Sequence, residues 1–344
     1  MEPVRLSDYD YYLPEELIAQ EPLENRDKSR MLVLYRKEGK IKHTIFDQLP
    51  VFLERGDLLI LNDTRVIPAR LVGQIAGKSA SAELLLLYKQ SNGNWVAMVK
   101  PGRKLKPGAR VVFDADVEAS IEGYAEKDFR EVSFNAPRPI EEILPRLGKV
   151  PLPPYIQKDV EDPNQYQTIY AAKEGSAAAP TAGFHFTNRV FEQLKEKGIE
   201  TAFVTLHIGP GTFQPVKTED IRDHNMHAEY YSIEKQVAEK MNEARRQKRR
   251  IIAVGTTVCR VLETAADQSG FFEGQEWGWT ELFIYPGYKF RAIDAMLTNF
   301  HLPKSTLLMM VSALAGYNLV MKAYQEAVEK QYRFYSFGDC MLII

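Results

Sequence analysis

The chain has 344 residues, 45% hydrophobic and 26% charged, enough to bury a sizeable core and to fill about two domains. Lysine and arginine number 44 against 46 acidic residues, for a net charge of −2; this excludes a wholesale basic attraction to nucleic acid or anionic membrane, so a polyanion partner must meet a local patch. Two cysteines, Cys259 and Cys340, exclude a disulfide framework and a four-thiolate zinc site, and each reads as buried apolar filler.

The first twenty residues carry Asp8, Asp10, Glu15 and Glu16 without a long apolar run, so no secretory signal is expected and the cytoplasm is the expected compartment. Apolar-centred runs at 30–35 and 57–62 predict strands, joined through 44–53, whose apolar spacing fits a short helix. From Ala69 the pattern changes. Six short runs, at 70–75, 82–88, 95–99, 109–113, 117–121 and 130–134, are broken by Gly, Pro, Asn or Asp and predict a small antiparallel β-barrel or sandwich. Pro151, Pro153 and Pro154 close this region, after which strands and helices alternate. The β module, 69–154, therefore reads as an insertion in a discontinuous α/β domain of 1–68 and 155–344.

Within the host domain the pattern predicts a helix over 188–197, with Thr187 as N-cap and Gly198 just past its end, and a strand over 200–206. Ser232 precedes the helically spaced Ile233, Val237, Met241 and Ala244, and a strand over 251–254 follows. Then come a helix over 258–268, a strand over 282–285, and paired helices split at Gly316–Tyr317–Asn318. The uncharged stretch 305–321 falls short of the ~20 apolar residues that span a bilayer, so it reads as buried helix and no membrane is expected as a partner.

Four polar segments punctuate these elements: 183–187, 205–213, 255–257 and 298–306. Thr181 and His185 lie on a loop running into a helix N-terminus, whose N–H groups suit a carboxylate or phosphate. His207, Gly209, Gly211 and Thr212 follow a strand, and Gly255, Thr256 and Thr257 repeat that strand, turn and helix layout. Ligands gather at the carboxyl ends of strands in α/β folds, so these turns are expected to share one mouth. Asp63, in Asn62–Asp63–Thr64–Arg65, also follows an apolar strand and is a candidate base or ribose-hydroxyl acceptor. Alone, each has a plainer reading: a core histidine, a tight turn, an Asp63–Arg65 turn. The segment 223–229 holds His224, His227 and two carboxylates, but a His spacing of three does not fit a helical zinc pair, and no metal is expected. Between Leu84 and Phe113 stand Lys89, Lys100, Arg103, Lys104, Lys106 and Arg110 with no acid, beside Tyr88 and Trp95, a footprint fitting nucleic-acid phosphates.

At these same segments the chain resembles the S-adenosylmethionine:tRNA ribosyltransferase-isomerase family of queuosine biosynthesis. The likeness spans nearly the whole length and rests on Leu13–Pro14–Glu15–Glu16–Leu17–Ile18–Ala19–Gln20, Leu61–Asn62–Asp63–Thr64–Arg65–Val66, Ala179–Pro180–Thr181–Ala182–Gly183 and Asn299–Phe300–His301–Leu302–Pro303–Lys304–Ser305–Thr306–Leu307–Leu308–Met309. It departs from the family's usual pattern at Phe184, Pro210, Cys259 and Cys340, none of them a candidate acid or base.

The resemblance implies a barrel-like α/β main domain carrying an inserted small antiparallel β-barrel. It also implies a reaction in which the ribosyl group of S-adenosylmethionine moves onto 7-aminomethyl-7-deazaguanine at the tRNA wobble position, giving epoxyqueuosine-tRNA with release of adenine and methionine. S-adenosylmethionine is then a consumed substrate and no cofactor is expected; the protein is expected to act as a monomer. The sulfonium acidifies the ribose C5′ protons, which calls for a base; His185 or His207 is the candidate, with the other or Asp63 protonating adenine or activating the amine. Thr181 and the Gly209–Gly211–Thr212 and Gly255–Thr256–Thr257 turns are candidates to hold S-adenosylmethionine. Arg103, Lys104, Lys106, His301 and Lys304 are the expected tRNA or positioning groups.

Overall fold

The computed structural model describes residues 3–125, 129–158, 162–209 and 216–344, apart from the side chains of Gln275 and Glu276. They fall into two units, one of Met1–Asp63, Pro154–Ala172 and Pro180–Ile344, the other of Thr64–Pro153 and Lys173–Ala179.

The larger unit is built on a nine-stranded mixed sheet in the order Gln275–Thr280, Glu229–Ile233, Glu200–Leu206, Leu58–Asn62, Ile251–Val254, Ala295–Asn299, Cys340–Ile343, Arg30–Tyr35, Lys40–Ile45. The expected barrel-like main domain thus takes the form of a sheet with two terminal strands, and hydrogen-bonded closure belongs to the inserted module. Four adjacent strands, Glu200–Leu206, Leu58–Asn62, Ile251–Val254 and Ala295–Asn299, run parallel, with Ile60 opposite both Ala202 and Ala253. All five residues of Leu58–Asn62 are buried, as a strand covered on both faces requires. Against Leu59, Leu61, Ile252, Val254 and Leu297 pack Phe46, Leu49, Ala182, Phe186, Val190 and Leu194.

The helix Asn188–Glu196 starts where the sequence predicts: Thr187 Oγ1 accepts from Val190 N at 3.4 Å, and Gly198, at φ +74°, lies just past the end. The helix expected from Ser232 starts at Lys235 instead, because Ser232 belongs to the strand Glu229–Ile233. The expected strand over 282–285 does not form. Leu282 gives its carbonyl to the Arg260 side chain at 3.2 Å, and the strand is Gln275–Thr280. The apolar stretch near residue 310 is two helices, Thr306–Ala315 and Tyr317–Glu329, bent by 117° at Gly316. Among the described residues no single helix is long and apolar enough to cross a membrane.

The smaller unit is a closed barrel of six antiparallel strands in the order Phe129–Asn135, Trp95–Lys100, Ser81–Lys89, Arg70–Ile75, Arg110–Asp114, Val117–Tyr124. Leu71, Leu84, Leu86, Ala97, Val111, Ala119, Ile121 and Val132 fill its interior. Thr64–Val66 and Lys173–Ser176 pair in parallel in the same unit, a pairing the sequence does not announce.

Candidate active site

Because four neighbouring strands are parallel, their carboxyl ends deliver Asn62–Asp63, Leu206–His207, Val254–Gly255 and Thr298–Asn299 to one edge of the sheet. Asn62, fully buried, uses Nδ2 to bond Leu206 O and Oδ1 to accept from Leu206 N, both at 3.0 Å, and so locks two strand ends together. Next to it, Asp63 Oδ1 accepts the Thr205 hydroxyl at 2.7 Å.

The turn Thr181–His185 reaches this edge through Asn299. Thr181 Oγ1 lies 3.1 Å from Asn299 Oδ1, and Asn299 Nδ2 lies 3.1 Å from Tyr335 O and 3.3 Å from His185 Nε2. A carbonyl only accepts, so Nδ2 faces Tyr335 O and donates its second hydrogen to His185 Nε2. The proton of the neutral ring is therefore on Nδ1, 2.6 Å from Ser29 Oγ, which in turn donates to Arg26 O at 3.1 Å. Burial, reinforced by the nearby Arg26 and Arg333 charges, pushes the His185 pKa down to about 3. His185 is a neutral strut with both ring nitrogens engaged.

His207 differs. It is half-buried, its ring stacks on Tyr230 with centroids 5.6 Å apart, and burial pushes its pKa down to about 4. It too is neutral at pH 7. His301 is buried, with Nε2 2.9 Å from Thr298 Oγ1, and desolvation pushes it down to about 3. Its backbone is tied to the Tyr11 and Tyr324 hydroxyls, so it braces the strand end.

Gly255, at φ +94°, opens the helix Thr256–Ala265. A Cβ there would stand 3.5 Å from Ala182 Cβ and 3.6 Å from Thr257 Oγ1, so this turn abuts the Thr181–His185 turn. Thr257 Oγ1 is buried and has no hydrogen-bond partner among the described residues. The Gly209 N–H is taken by Glu229 Oε1 at 3.0 Å. Glu229 pairs with Arg260, both 3% exposed, and Arg260 also holds Thr280 O. Gly211 and Thr212 lie outside the described residues. Lys304 forms an ion pair with Asp10 at 2.7 Å.

In the barrel unit, Arg103, Lys104 and Lys106 are exposed and have no ion-pair partner among the described residues. Leu105, between them, is buried in the barrel, and the buried Arg130 fixes their turn through Leu105 O at 2.9 Å and Gly102 O at 3.3 Å. Two of the six basic residues are neutralised, Lys89 by Glu141 and Arg110 by Glu118, and Trp95 is a core residue. Among the described residues no three His, Cys, Asp or Glu side chains converge as a metal site, and His224 packs edge-on against Phe283. A groove lies by Arg36–Gly39 and Gly316; Arg36 reaches Asp294 O, at the amino end of Ala295–Asn299, so this groove is on the opposite edge from the polar cluster.

Ser29, Glu229 and Arg260 carry much of this geometry, and no motif in the sequence marks them for it. Arg260 left one signal, a charge inside the apolar run Val258, Cys259, Val261, Leu262. Asn299 left another, an amide two residues past the apolar run Ala295, Met296, Leu297.

Fold and site together define an α/β enzyme with an inserted β-barrel and its polar groups gathered at parallel strand ends. The family model described as queuosine biosynthesis protein matches residues 6–343. An S-adenosylmethionine:tRNA ribosyltransferase-isomerase of Caldanaerobacter subterraneus subsp. tengcongensis is 53% identical over 99% of this chain and 100% of its own length. A protein of the same name from Carboxydothermus hydrogenoformans is 54% identical with the same coverage. A crystal structure of S-adenosylmethionine tRNA ribosyltransferase from Thermotoga maritima is 41% identical, covers 98% of this chain and 100% of that one, and superposes with a TM-score of 0.57. The chain belongs to the queuosine biosynthesis family of S-adenosylmethionine:tRNA ribosyltransferase-isomerases.

Proposed function

We propose that the protein transfers and isomerises the ribosyl moiety of S-adenosylmethionine onto 7-aminomethyl-7-deazaguanine at the tRNA wobble position. Adenine and methionine leave, and epoxyqueuosine-tRNA is the product. Beside family membership, one observation carries this reading: Asp63, His207, Gly255–Thr256–Thr257 and Asn299 meet at four adjacent parallel strand ends. S-adenosylmethionine is consumed as a substrate, and neither a resident cofactor nor a metal is required. The protein works as a cytoplasmic monomer.

The chemistry starts at the ribose C5′, whose protons the neighbouring sulfonium acidifies. His207 is the base: burial keeps it neutral at pH 7, in the proton-accepting form, and it follows the strand Glu200–Leu206 two residues past Thr205, which holds Asp63. Loss of the C5′ proton gives an ylide, the ribose ring opens and adenine is expelled. Asp63, held by Thr205, serves the proton transfer to adenine or from the incoming amine. His185 keeps Thr181 and Asn299 in register. The amino end of Thr256–Ala265 and the Thr257 hydroxyl hold the methionine carboxylate. Gly211 and Thr212 are the residues assigned to the ribose, and the Gly209 N–H is held by Glu229. Arg103, Lys104 and Lys106 meet tRNA phosphates, and Lys304 joins them by exchanging Asp10 for a phosphate.

The test is product analysis after incubation with S-adenosylmethionine and tRNA bearing 7-aminomethyl-7-deazaguanine. Adenine and methionine in equal amounts are expected. S-adenosylhomocysteine would mean methyl transfer, and no turnover would refute the reading.

A further inference from the structure

The sheet ends at the strand Gln275–Thr280, where Trp277 and Trp279 are 61% and 47% exposed. The register slips by one residue between the Tyr231–Gly278 and Ile233–Gln275 pairs, beside Trp277, and both indoles stand out to solvent on this terminal strand. At Gly278 between them a Cβ would come within 2.6 Å of Tyr231 Cζ; the glycine lets that ring lie across the strand. Trp279 pairs in register with Tyr230, and their rings meet edge to face at 5.8 Å. Tyr230 in turn accepts the His207 N–H through its backbone carbonyl at 2.9 Å and stacks on the His207 ring at an interplanar angle of 13°. An aromatic row thus crosses three strands from the sheet edge to the candidate base. Thr205, on the same side of its strand as His207, carries the bond to Asp63.

Edge strands usually carry charge or proline to deter pairing, so two exposed tryptophans here mark a binding face. Planar aromatic surfaces without a deep pocket suit unpaired nucleobases, each of which offers a π face. Continuity with His207 selects the occupant: a base brought to that residue carries its unpaired neighbours along the row. The geometry points to a nucleobase-stacking platform in which Trp277, Trp279 and Tyr230 hold anticodon-loop bases flanking the wobble nucleotide, with His207 closing the row at the reacting base. This rests on the ribosyl-transfer reading of the site.

Trp95, the third tryptophan of the chain, is buried in the barrel core, so quenching of indole emission by RNA reports on Trp277 and Trp279. The full-length protein is titrated with an anticodon stem-loop RNA and with a fully paired RNA of equal length, and adenine release is followed in parallel with the substrate tRNA. The stem-loop is expected to quench and the paired RNA not. The Trp277→Ala/Trp279→Ala double variant should bind the stem-loop roughly 10- to 100-fold more weakly, while the double Phe variant keeps most of the affinity. The salt dependence should stay unchanged, since no phosphate-binding group is removed. Unaltered affinity in the alanine variant, equal quenching by paired RNA, or a wild-type dimer that the alanine variant dissolves overturns the platform, and with adenine still released the catalytic reading stands. If wild type releases no adenine while the alanine variant loses stem-loop binding, the platform stands and the ribosyl-transfer reading falls.

Discussion

Gly183 sits in the turn that carries Thr181 and His185, and its missing side chain is a packing requirement. A Cβ at this position would lie 2.0 Å from Tyr170 Oη, 2.8 Å from Thr168 Cγ2 and 2.9 Å from Tyr170 Cζ. No real contact is that short, so Gly183→Ala must push the turn or the ring aside, at a cost of about 1–3 kcal/mol for overpacking. Melting should fall by roughly 2–4 °C per kcal/mol for a unit of this size. Adenine release should fall as well, because His185 and Thr181 move with the turn. The worst contact is with a hydroxyl that is itself buried without a partner among the described residues, so Tyr170→Phe alone should be near neutral in stability. Combined with Gly183→Ala it removes the 2.0 Å contact and keeps the 2.8 Å and 2.9 Å ones, so part of the stability should return. Urea unfolding of wild type, both single variants and the double variant gives the coupling directly. If the effects add to within about 0.5 kcal/mol, Tyr170 is not what excludes a side chain at Gly183 and the packing argument fails.

Acid should destabilise the larger unit through its buried histidines. The His185 and His301 pKa values are pushed to about 3 and that of His207 to about 4, all below the unfolded value of 6.5. The unfolded chain therefore binds more protons, and the stability these groups contribute is full above pH ~6.5 and lost as pH falls toward their folded values. Urea midpoints between pH 7 and 4 should drop in wild type and drop less in His185→Gln; parallel curves would refute the assignment. Glu229→Ala leaves Arg260 buried and unpaired and should cost about 3–5 kcal/mol, whereas Glu229→Gln retains an acceptor for Gly209 N–H and should cost less. Equal losses in thermal melts would show that the Gly209 bond contributes nothing. Changing Arg103, Lys104 and Lys106 together to alanine should flatten the salt dependence of tRNA binding by roughly 0.7–0.9 in log–log slope for each phosphate no longer engaged. An unchanged slope in filter binding would place the phosphate-binding groups elsewhere.

The barrel strands were legible because each is short, alternating and closed by turn residues: 70–75 is read to the residue, and the other five differ only at their ends. Three of the four parallel strands were legible for the opposite reason, a continuous apolar run such as Leu58–Leu61 bounded by polar residues. What escaped was the rest of the sheet, Ala295–Asn299 and Cys340–Ile343 inside it and three strands toward its edges. Lys40–Ile45 alternates Lys40, Lys42 and Thr44 with Ile41, His43 and Ile45 and so has only two apolar residues, Glu229–Ile233 hides its register behind Glu229, and Gln275–Thr280 points two tryptophans outward. In the last two, a charge marks the interior or apolarity marks a surface, and the usual inside-outside code runs backward. The return of Lys173–Ser176 to pair with Thr64–Val66 is a long-range pairing with no local signature.

The site divides along the same line. Strand-end position is a local property, so Asp63, His207 and Gly255 were legible as soon as their strands were. Chemical state is not local. His185 and His207 look equivalent in sequence, each in a polar segment near small residues, yet one has both nitrogens bonded, by Ser29 and Asn299 from distant parts of the chain, and the other stacks on Tyr230 at the sheet's aromatic face. Gly209, which on its own offers a backbone N–H to a ligand, gives it to Glu229, because a carboxylate buried beside Arg260 must fill its remaining lone pairs. Two histidines alike in sequence thus separate by their surroundings, and the residues that fix His185 lie 114 and 156 positions from it in the chain.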